Sequence, residues 1–151
     1  MKKKYFIITL SLILIGCKSV EDYPSNVSIV NKYDSFSYSF SGQGFSNKMD
    51  DCQSEAEKNI FEVILFRGIS GSDLQNPLIE DEQKSKENNK EFFNNFFEKK
   101  YYRNFISSKV EMIENTKPTK GGYTCLIKFS VNLNSLKTNL EQNGIIRKFG
   151  L

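Results

Sequence analysis

Three cysteines, Cys17, Cys52 and Cys125, are the side chains of this sequence best suited to covalent chemistry, because a thiolate is a strong nucleophile. Histidine is absent from all 151 residues. Its absence excludes triads in which histidine is the base, and it removes the imidazole ligands of most zinc sites. We therefore expect no metal and no cofactor, and we name no catalytic residues.

The first cysteine, Cys17, follows a short apolar segment. Three consecutive lysines at positions 2–4 precede an apolar run over residues 5–15, and a charged region followed by an apolar one is typical of an export signal. The run is too short to span a bilayer, which takes about 20 apolar residues. The sequence therefore predicts a signal peptide over residues 1–16.

The end of this segment, Leu14-Ile15-Gly16-Cys17, resembles the lipobox of bacterial lipoproteins. In that family a small residue precedes the cysteine whose sulfur receives a diacylglyceryl group. The resemblance implies signal cleavage after Gly16, lipidation of Cys17 and a mature chain held in the membrane by acyl chains such as palmitate. More than one acyl chain gives firm anchoring. The alternative is an ordinary secretory signal, in which Cys17 merely follows the cleavage site.

The formal net charge of +3 is due to the same segment. The chain has 21 basic and 18 acidic residues, and removing the lysines at positions 2–4 leaves 18 of each. We do not expect an exported domain with equal numbers of basic and acidic residues to bind nucleic acid. We expect a protein anchored by lipid in the cell envelope, at the outer membrane rather than the inner one, with another envelope protein as its partner.

The rest of the chain is predicted to be a tether over residues 17–32 and a single domain over residues 33–151. The tether is polar and contains Pro24, although the spacing of Val27 and Ile29 leaves a short edge strand as an alternative.

Hydropathy patterns predict the elements of this domain. Apolar residues alternate with serine over 35–41, which predicts a half-buried strand ending at Gly42-Gln43-Gly44. The period becomes helical over 47–67, and a second helix is predicted over 83–99. A hairpin follows over 109–115 and 123–133, joined around Pro118. Asn134 is predicted to cap a last helix that ends at Gly144.

The order β-α-α-β-β-α predicts an α+β fold, with a small antiparallel sheet of three to four strands and helices packed on one face. The strand at 36–40, the Gly42 and Gly44 pair and the fourfold spacing of Cys52, Ala56 and Ile60 resemble the swapped-hairpin α/β module. That module occurs in envelope lipoproteins and at the N-terminus of the T flagellar assembly protein. The resemblance spans roughly residues 33–146 and implies a non-catalytic binding or assembly component.

Cys52 and Cys125 fall on predicted core faces of a helix and a strand. Export would place them in an oxidising compartment, where paired thiols form disulfides. Two interpretations stay open, namely a disulfide and two buried free thiols that pack as small apolar side chains.

The aromatic stretch over 92–105 also has two interpretations. Helical spacing favours core packing for Phe92, Phe93, Phe96 and Phe97, and the alternative is a platform that stacks on sugar rings or peptides. Tyr101 and Tyr102 are the candidates for exposed recognition aromatics, because one of two adjacent residues should leave the core.

Three function classes follow. We favour a membrane-anchored, non-catalytic envelope lipoprotein that acts as a binding or assembly module. The first alternative is a surface-exposed lipoprotein that contacts host or neighbouring cells. The second is an envelope hydrolase that uses carboxylates such as Glu111 and Glu114.

The acidic cluster at 80–82 lacks the spacing of a calcium loop and predicts only a solvated charged face.

Overall fold

The computed structural model describes residues 26–116 and 121–147. The predicted signal peptide, the lipobox with Cys17, most of the tether and Pro118 of the hairpin turn lie outside these residues. Within the described ranges, no helix has the length and apolar character required to cross a membrane.

Four antiparallel strands form one sheet with the spatial order β1-β2-β4-β3. The central pair is in register over ten residues, from Ser37 opposite Asn132 to Ser46 opposite Tyr123. Helices pack on one side of this sheet, which confirms the α+β fold. The strands are β1 Val27–Lys32, β2 Ser37–Ser46, β3 Glu111–Thr116 and β4 Tyr123–Asn132.

The first strand corrects the boundary between tether and domain. The predicted tether included residues up to 32, but Val27–Lys32 pairs with β2 as an edge strand. Val27 lies opposite Gly42 and Ile29 lies opposite Phe40, and both side chains are partly buried against the core. The folded part therefore begins at about residue 27, and the structure contains the edge strand that the sequence left as an alternative to the tether.

The second strand does not end at Gly42, as was predicted, but continues to Ser46. Both glycines instead serve the packing of the first helix. A Cβ atom on Gly44 would lie 2.3 Å from the carbonyl oxygen of Cys52, and one on Gly42 would lie 2.5 Å from Cγ1 of Ile60. The two glycines thus permit the helix to approach the sheet closely.

The helical layer contains four α-helices and three shorter turns in the described residues. Helix α1, Met49–Glu62, continues as a π-helical turn, Val63–Arg67, and ends at Gly68 (φ 72°) as predicted. The others are α2 Glu82–Asn88, α3 Lys90–Phe93 with its π-helical turn Asn94–Glu98, the 3₁₀ helix Tyr101–Phe105 and α4 Leu133–Gln142.

Two asparagines explain where the helix boundaries differ from prediction. The predicted second helix is interrupted at Asn89 (φ −127°, ψ 43°), whose side-chain amide donates to the carbonyl of Ser85 at 2.9 Å. Such local bonds compete with helix continuation. The last helix is capped by Asn132 instead of Asn134, because the Asn132 side chain accepts from the Ser135 amide at 3.0 Å.

The core lies between the sheet and the helices. Phe40, Ile127 and Phe129 on the covered face of the sheet are fully buried, and the ring centroids of Phe61 and Phe129 are 6.0 Å apart. The predicted core phenylalanines follow the expected pattern. Three of them, Phe93, Phe96 and Phe97, are buried, and Phe92 is partly buried against them.

Candidate functional site

A groove opens between three helical elements of the described chain, on the side of the helical layer formed by α3, the 3₁₀ helix and α4. It encloses about 450 Å³, a size within the range of small-ligand sites. We call it the asparagine groove, since four asparagines line it together with aromatic residues and one carboxylate. The four are Asn95, Asn104, Asn139 and Asn143.

Four aromatic residues line the asparagine groove, namely Phe92, Phe96, Tyr101 and Phe105. Phe96 and Phe105 are buried, and their ring centroids are 6.1 Å apart. Phe92 stacks on Phe96 with a centroid separation of 5.7 Å and is partly exposed to the groove. Tyr101 lies at the rim with 54% of its surface exposed. A ligand would therefore meet a rigid aromatic base and one accessible ring.

The asparagine amides supply the polar groups of the groove. Asn139 lies in the last turn of α4 and Asn143 follows the helix as its C-cap, where the Asn143 side chain donates to the Asn139 backbone carbonyl at 2.8 Å. Within the part of the chain that the structure describes, the side-chain amides of Asn95, Asn104 and Asn139 make no hydrogen bond to protein. Each amide offers both donors and an acceptor. The groove thus contains three amides with unused hydrogen-bonding capacity.

The two adjacent tyrosines face opposite ways, which corrects half of the sequence prediction. Tyr101 is exposed as expected, whereas Tyr102 is 1% exposed and belongs to the core. Lys100, with φ 58° and ψ 33°, is the only non-glycine residue of the described chain with a positive φ. It precedes the first residue of the 3₁₀ helix and follows the π-helical turn by two residues. The Tyr102 ring packs 5.1 Å from that of Phe61.

A buried carboxylate behind the groove fixes the 3₁₀ helix to α1. Glu57 is 1% exposed, and its Oε2 accepts from Arg103 Nε at 2.7 Å and from the Tyr102 hydroxyl at 3.3 Å. Gln53 Nε2 donates to Oε1 at 2.9 Å. Burial, then the negative charge of Glu57, raises the pKa of the Tyr102 hydroxyl. The hydrogen bond to Glu57 raises the pKa of the Arg103 guanidinium.

Glu57 was not among the predicted site residues, although its spacing from the apolar residues of α1 indicates that it is buried. Glu57 lies three residues before Ile60 and seven before Ile64, which is the spacing of the apolar face of α1. A charged residue at such a position predicts a buried ion pair, and Arg103 provides the partner from 46 residues downstream.

Cys52 and Cys125 are joined by a disulfide in the structure, with their Cα atoms 6.1 Å apart. Cys52 lies in the first turn of α1, and Cys125 lies in β4 opposite Gly44. The bond connects elements 73 residues apart in the chain. Of the two interpretations open from the sequence, the structure therefore contains the disulfide.

The carboxylates of the hydrolase alternative lie on an outer strand. Glu111 and Glu114 are exposed on β3, opposite Lys128 and Leu126 of β4. Glu111 Oε2 is 3.2 Å from Lys128 Nζ, which makes an exposed ion pair. In the described residues no group of three or more histidine, cysteine, aspartate or glutamate side chains is placed to hold a metal ion.

The acidic cluster at 80–82 begins a helix. Asp81 caps α2 by accepting from the Lys84 amide at 2.9 Å, and Glu82 pairs with Lys86 at 2.6 Å. These contacts are local to one helix, so the cluster acts as a helix start.

The groove joins residues 91–105, which are continuous in sequence, to Asn139 and Asn143 at the end of α4. Tyr101 was predicted to be an exposed recognition aromatic, and Phe92 and Phe96 belonged to the alternative prediction of a stacking platform. Isolated asparagines in a polar chain form no motif, so no sequence signal marked them.

Comparisons of this chain with protein-family models, with curated proteins and with solved structures find no match.

Proposed function

We propose that the protein is a non-catalytic lipoprotein of the cell envelope, anchored through Cys17, and that its α+β domain is a binding or assembly module. The observation that carries the proposal is the coincidence of three sequence features. Lysines at positions 2–4, an apolar run over 5–15 and the box Leu14-Ile15-Gly16-Cys17 follow one another in the order that lipoprotein export requires.

The disulfide between Cys52 and Cys125 supports export. Structural disulfides persist in oxidising compartments and are rare in the cytosol, where thiols are kept reduced. A cysteine pair buried between a helix and a strand is therefore what an envelope domain would contain.

The position of β1 sets the reach of the anchor. The described sheet begins at Val27, so only residues 18–26 would separate the lipid-bearing Cys17 from the folded domain. Nine residues reach at most about 30 Å when fully extended. The proposed module would act close to the membrane surface, on ligands or partners within that layer.

The non-catalytic part of the proposal is supported by the roles of the charged side chains. Glu57 binds Arg103, Asp81 caps α2 and Glu111 pairs with Lys128. These contacts are structural. The resemblance to the swapped-hairpin module points the same way, although a fold alone does not define an activity.

Metabolic labelling with a clickable fatty acid tests the anchor. We expect label on the wild-type protein and on Cys52→Ala, which keeps the proposed acceptor, and no label on Cys17→Ala. An unlabelled wild-type protein, or a labelled Cys17→Ala variant, would contradict the proposal. Separation of inner and outer membranes should place the labelled protein in the outer membrane.

Protease treatment of intact cells distinguishes this module from a surface-exposed lipoprotein. A domain that faces the periplasm should survive treatment until the outer membrane is permeabilised. Degradation in intact cells would instead favour contact with host or neighbouring cells.

A further inference from the structure

We infer that the asparagine groove is a binding site for a neutral oligosaccharide. The inference rests on the proposed function, since it names the class of ligand that the binding module would take. Three properties of the groove carry it, namely its amides, its aromatic surface and its charge.

The amides match sugar hydroxyls. A hydroxyl group both donates and accepts, and a carboxamide presents an acceptor oxygen beside two donor hydrogens. Asn95, Asn104 and Asn139 have no hydrogen bond to protein within the described residues, so their full capacity faces the groove or solvent. They come from three different elements, and can therefore contact hydroxyls on more than one side of a ligand.

The aromatic surface matches the apolar faces of sugar rings. Tyr101 is half exposed at the rim, and Phe92 extends the surface along the wall. Pyranose rings carry one face of C–H groups, which pack on an aromatic ring while the hydroxyls at the edge stay free to bond. Tyrosine suits such a site because its ring is apolar and its hydroxyl is polar.

The charge of the groove selects against other ligands. Glu91 is its one ionisable acid, and neither lysine nor arginine of the described chain lines it. Phosphates, acidic peptides and anionic lipid headgroups bind through basic residues or helix N-termini, and the described lining of the groove contains no cation for them. A neutral, hydroxyl-rich ligand is the class that remains.

The groove is held in shape before a ligand arrives. Phe96 and Phe105 are buried beneath it, and the 3₁₀ helix that carries Tyr101 and Asn104 is fixed through Arg103 to Glu57. A preorganised site loses less conformational freedom on binding, which favours affinity.

The test is a glycan array probed with the full chain, purified in a detergent that has no sugar headgroup. The array carries neutral oligosaccharides, their acidic counterparts and neutral peptides. We expect retention on neutral oligosaccharides. Tyr101→Ala should weaken the binding of the best one roughly tenfold or more, and Asn104→Ala should weaken it about three- to tenfold.

Matched variants control for folding and for non-specific contact. Tyr33→Ala removes a tyrosine that is 65% exposed outside the groove, and Asn94→Ala removes an exposed asparagine of the same π-helical turn as Asn95. Both should bind as wild type. Circular dichroism establishes that each variant is folded, and Asn139→Ala, which removes another amide of the groove, replaces Tyr101→Ala or Asn104→Ala if either is not.

Three outcomes would overturn the inference. They are no retention on any neutral oligosaccharide, binding that Tyr101→Ala and Asn104→Ala leave unchanged, and preferential retention on acidic glycans or peptides. Binding is measured on the purified chain, and the lipid anchor is measured by labelling in cells. A failure of one is therefore distinguishable from a failure of the other.

Discussion

Arg103 Nε donates a hydrogen bond to Glu57 Oε2 at 2.7 Å, and this contact fastens the 3₁₀ helix of the asparagine groove to α1. The carboxylate is 1% exposed, whereas the side chain of Arg103 is 47% exposed. Tyr102 and Gln53 donate the remaining hydrogen bonds. A buried carboxylate is tolerated only while such partners are present, so the stability of this side of the molecule depends on Arg103.

Arg103→Ala should lower the free energy of unfolding by about 2 kcal/mol, because it leaves the Glu57 carboxylate buried without a cationic partner. The partial exposure of Arg103 keeps the loss below that of a fully buried pair. Urea unfolding measures it. Arg67→Ala, at an exposed arginine after α1, should change stability by less than about 0.5 kcal/mol. Equal effects of the two substitutions would show that the buried contact contributes nothing.

The raised pKa of the Tyr102 hydroxyl predicts that the fold loses stability at alkaline pH. Its pKa is raised in the folded state by burial and by Glu57, above the value of 10.0 for an unperturbed tyrosine. The stability that it contributes is therefore fully present below about pH 10 and is lost as the pH rises above that value, because the unfolded chain releases the proton first.

Tyr102→Phe removes this titration. The variant should be about 1 kcal/mol less stable than wild type at neutral pH, since Glu57 loses a hydrogen bond. The difference should shrink between about pH 10 and about pH 11, as the wild type loses stability. Denaturant unfolding across this range measures it, with Tyr101→Phe as the exposed control. A wild-type advantage that stays constant with pH would contradict the assignment.

Replacing either of the two glycines of β2 with alanine should destabilise the fold, and the two losses should differ in size. Gly44→Ala would place a Cβ atom 2.3 Å from the Cys52 carbonyl and 2.5 Å from the Ala56 amide nitrogen, both of which are backbone atoms. We expect a loss of about 3 kcal/mol or more. Gly42→Ala meets the side chain of Ile60 instead, which can shift, and should lose about 1–2 kcal/mol. Thermal and urea unfolding measure both losses. A larger loss for Gly42→Ala than for Gly44→Ala would contradict the packing described.

The disulfide should supply a large part of the stability. Replacing both Cys52 and Cys125 with alanine should lower the free energy of unfolding by about 4 kcal/mol, given a separation of 73 residues. A reductant should destabilise the wild type by a similar amount and leave the double variant unchanged. A wild type that is indifferent to the reductant would show that the two thiols are free.

Local patterns made much of the fold predictable. Alternation with serine gave the strand that contains Phe40, helical spacing gave α1, and Gly68 and Gly144 ended helices with positive φ as expected. β1 was harder to predict, because its Val27 and Ile29 become apolar partners only once β2 lies beside them.

The aromatic residues of the groove were predictable from the sequence as an alternative to core packing, whereas its asparagines were not, because long-range contacts bring them together. Neighbouring tyrosines have equal apolar character, and the turn at Lys100 decides that Tyr101 is exposed and Tyr102 buried. Asn95 and Asn139 are separated by more than forty residues and come to line the same groove through helix packing. Single-residue properties contain no information on such a juxtaposition.

The mass of the mature protein, purified from membranes of the cells that make it, tests the central proposal most directly. We expect a chain that lacks residues 1–16 and begins at Cys17, with the added mass of a diacylglyceryl group on that cysteine. A chain that retains Met1, or one that begins at Cys17 with an unmodified thiol, would contradict a lipid-anchored envelope module.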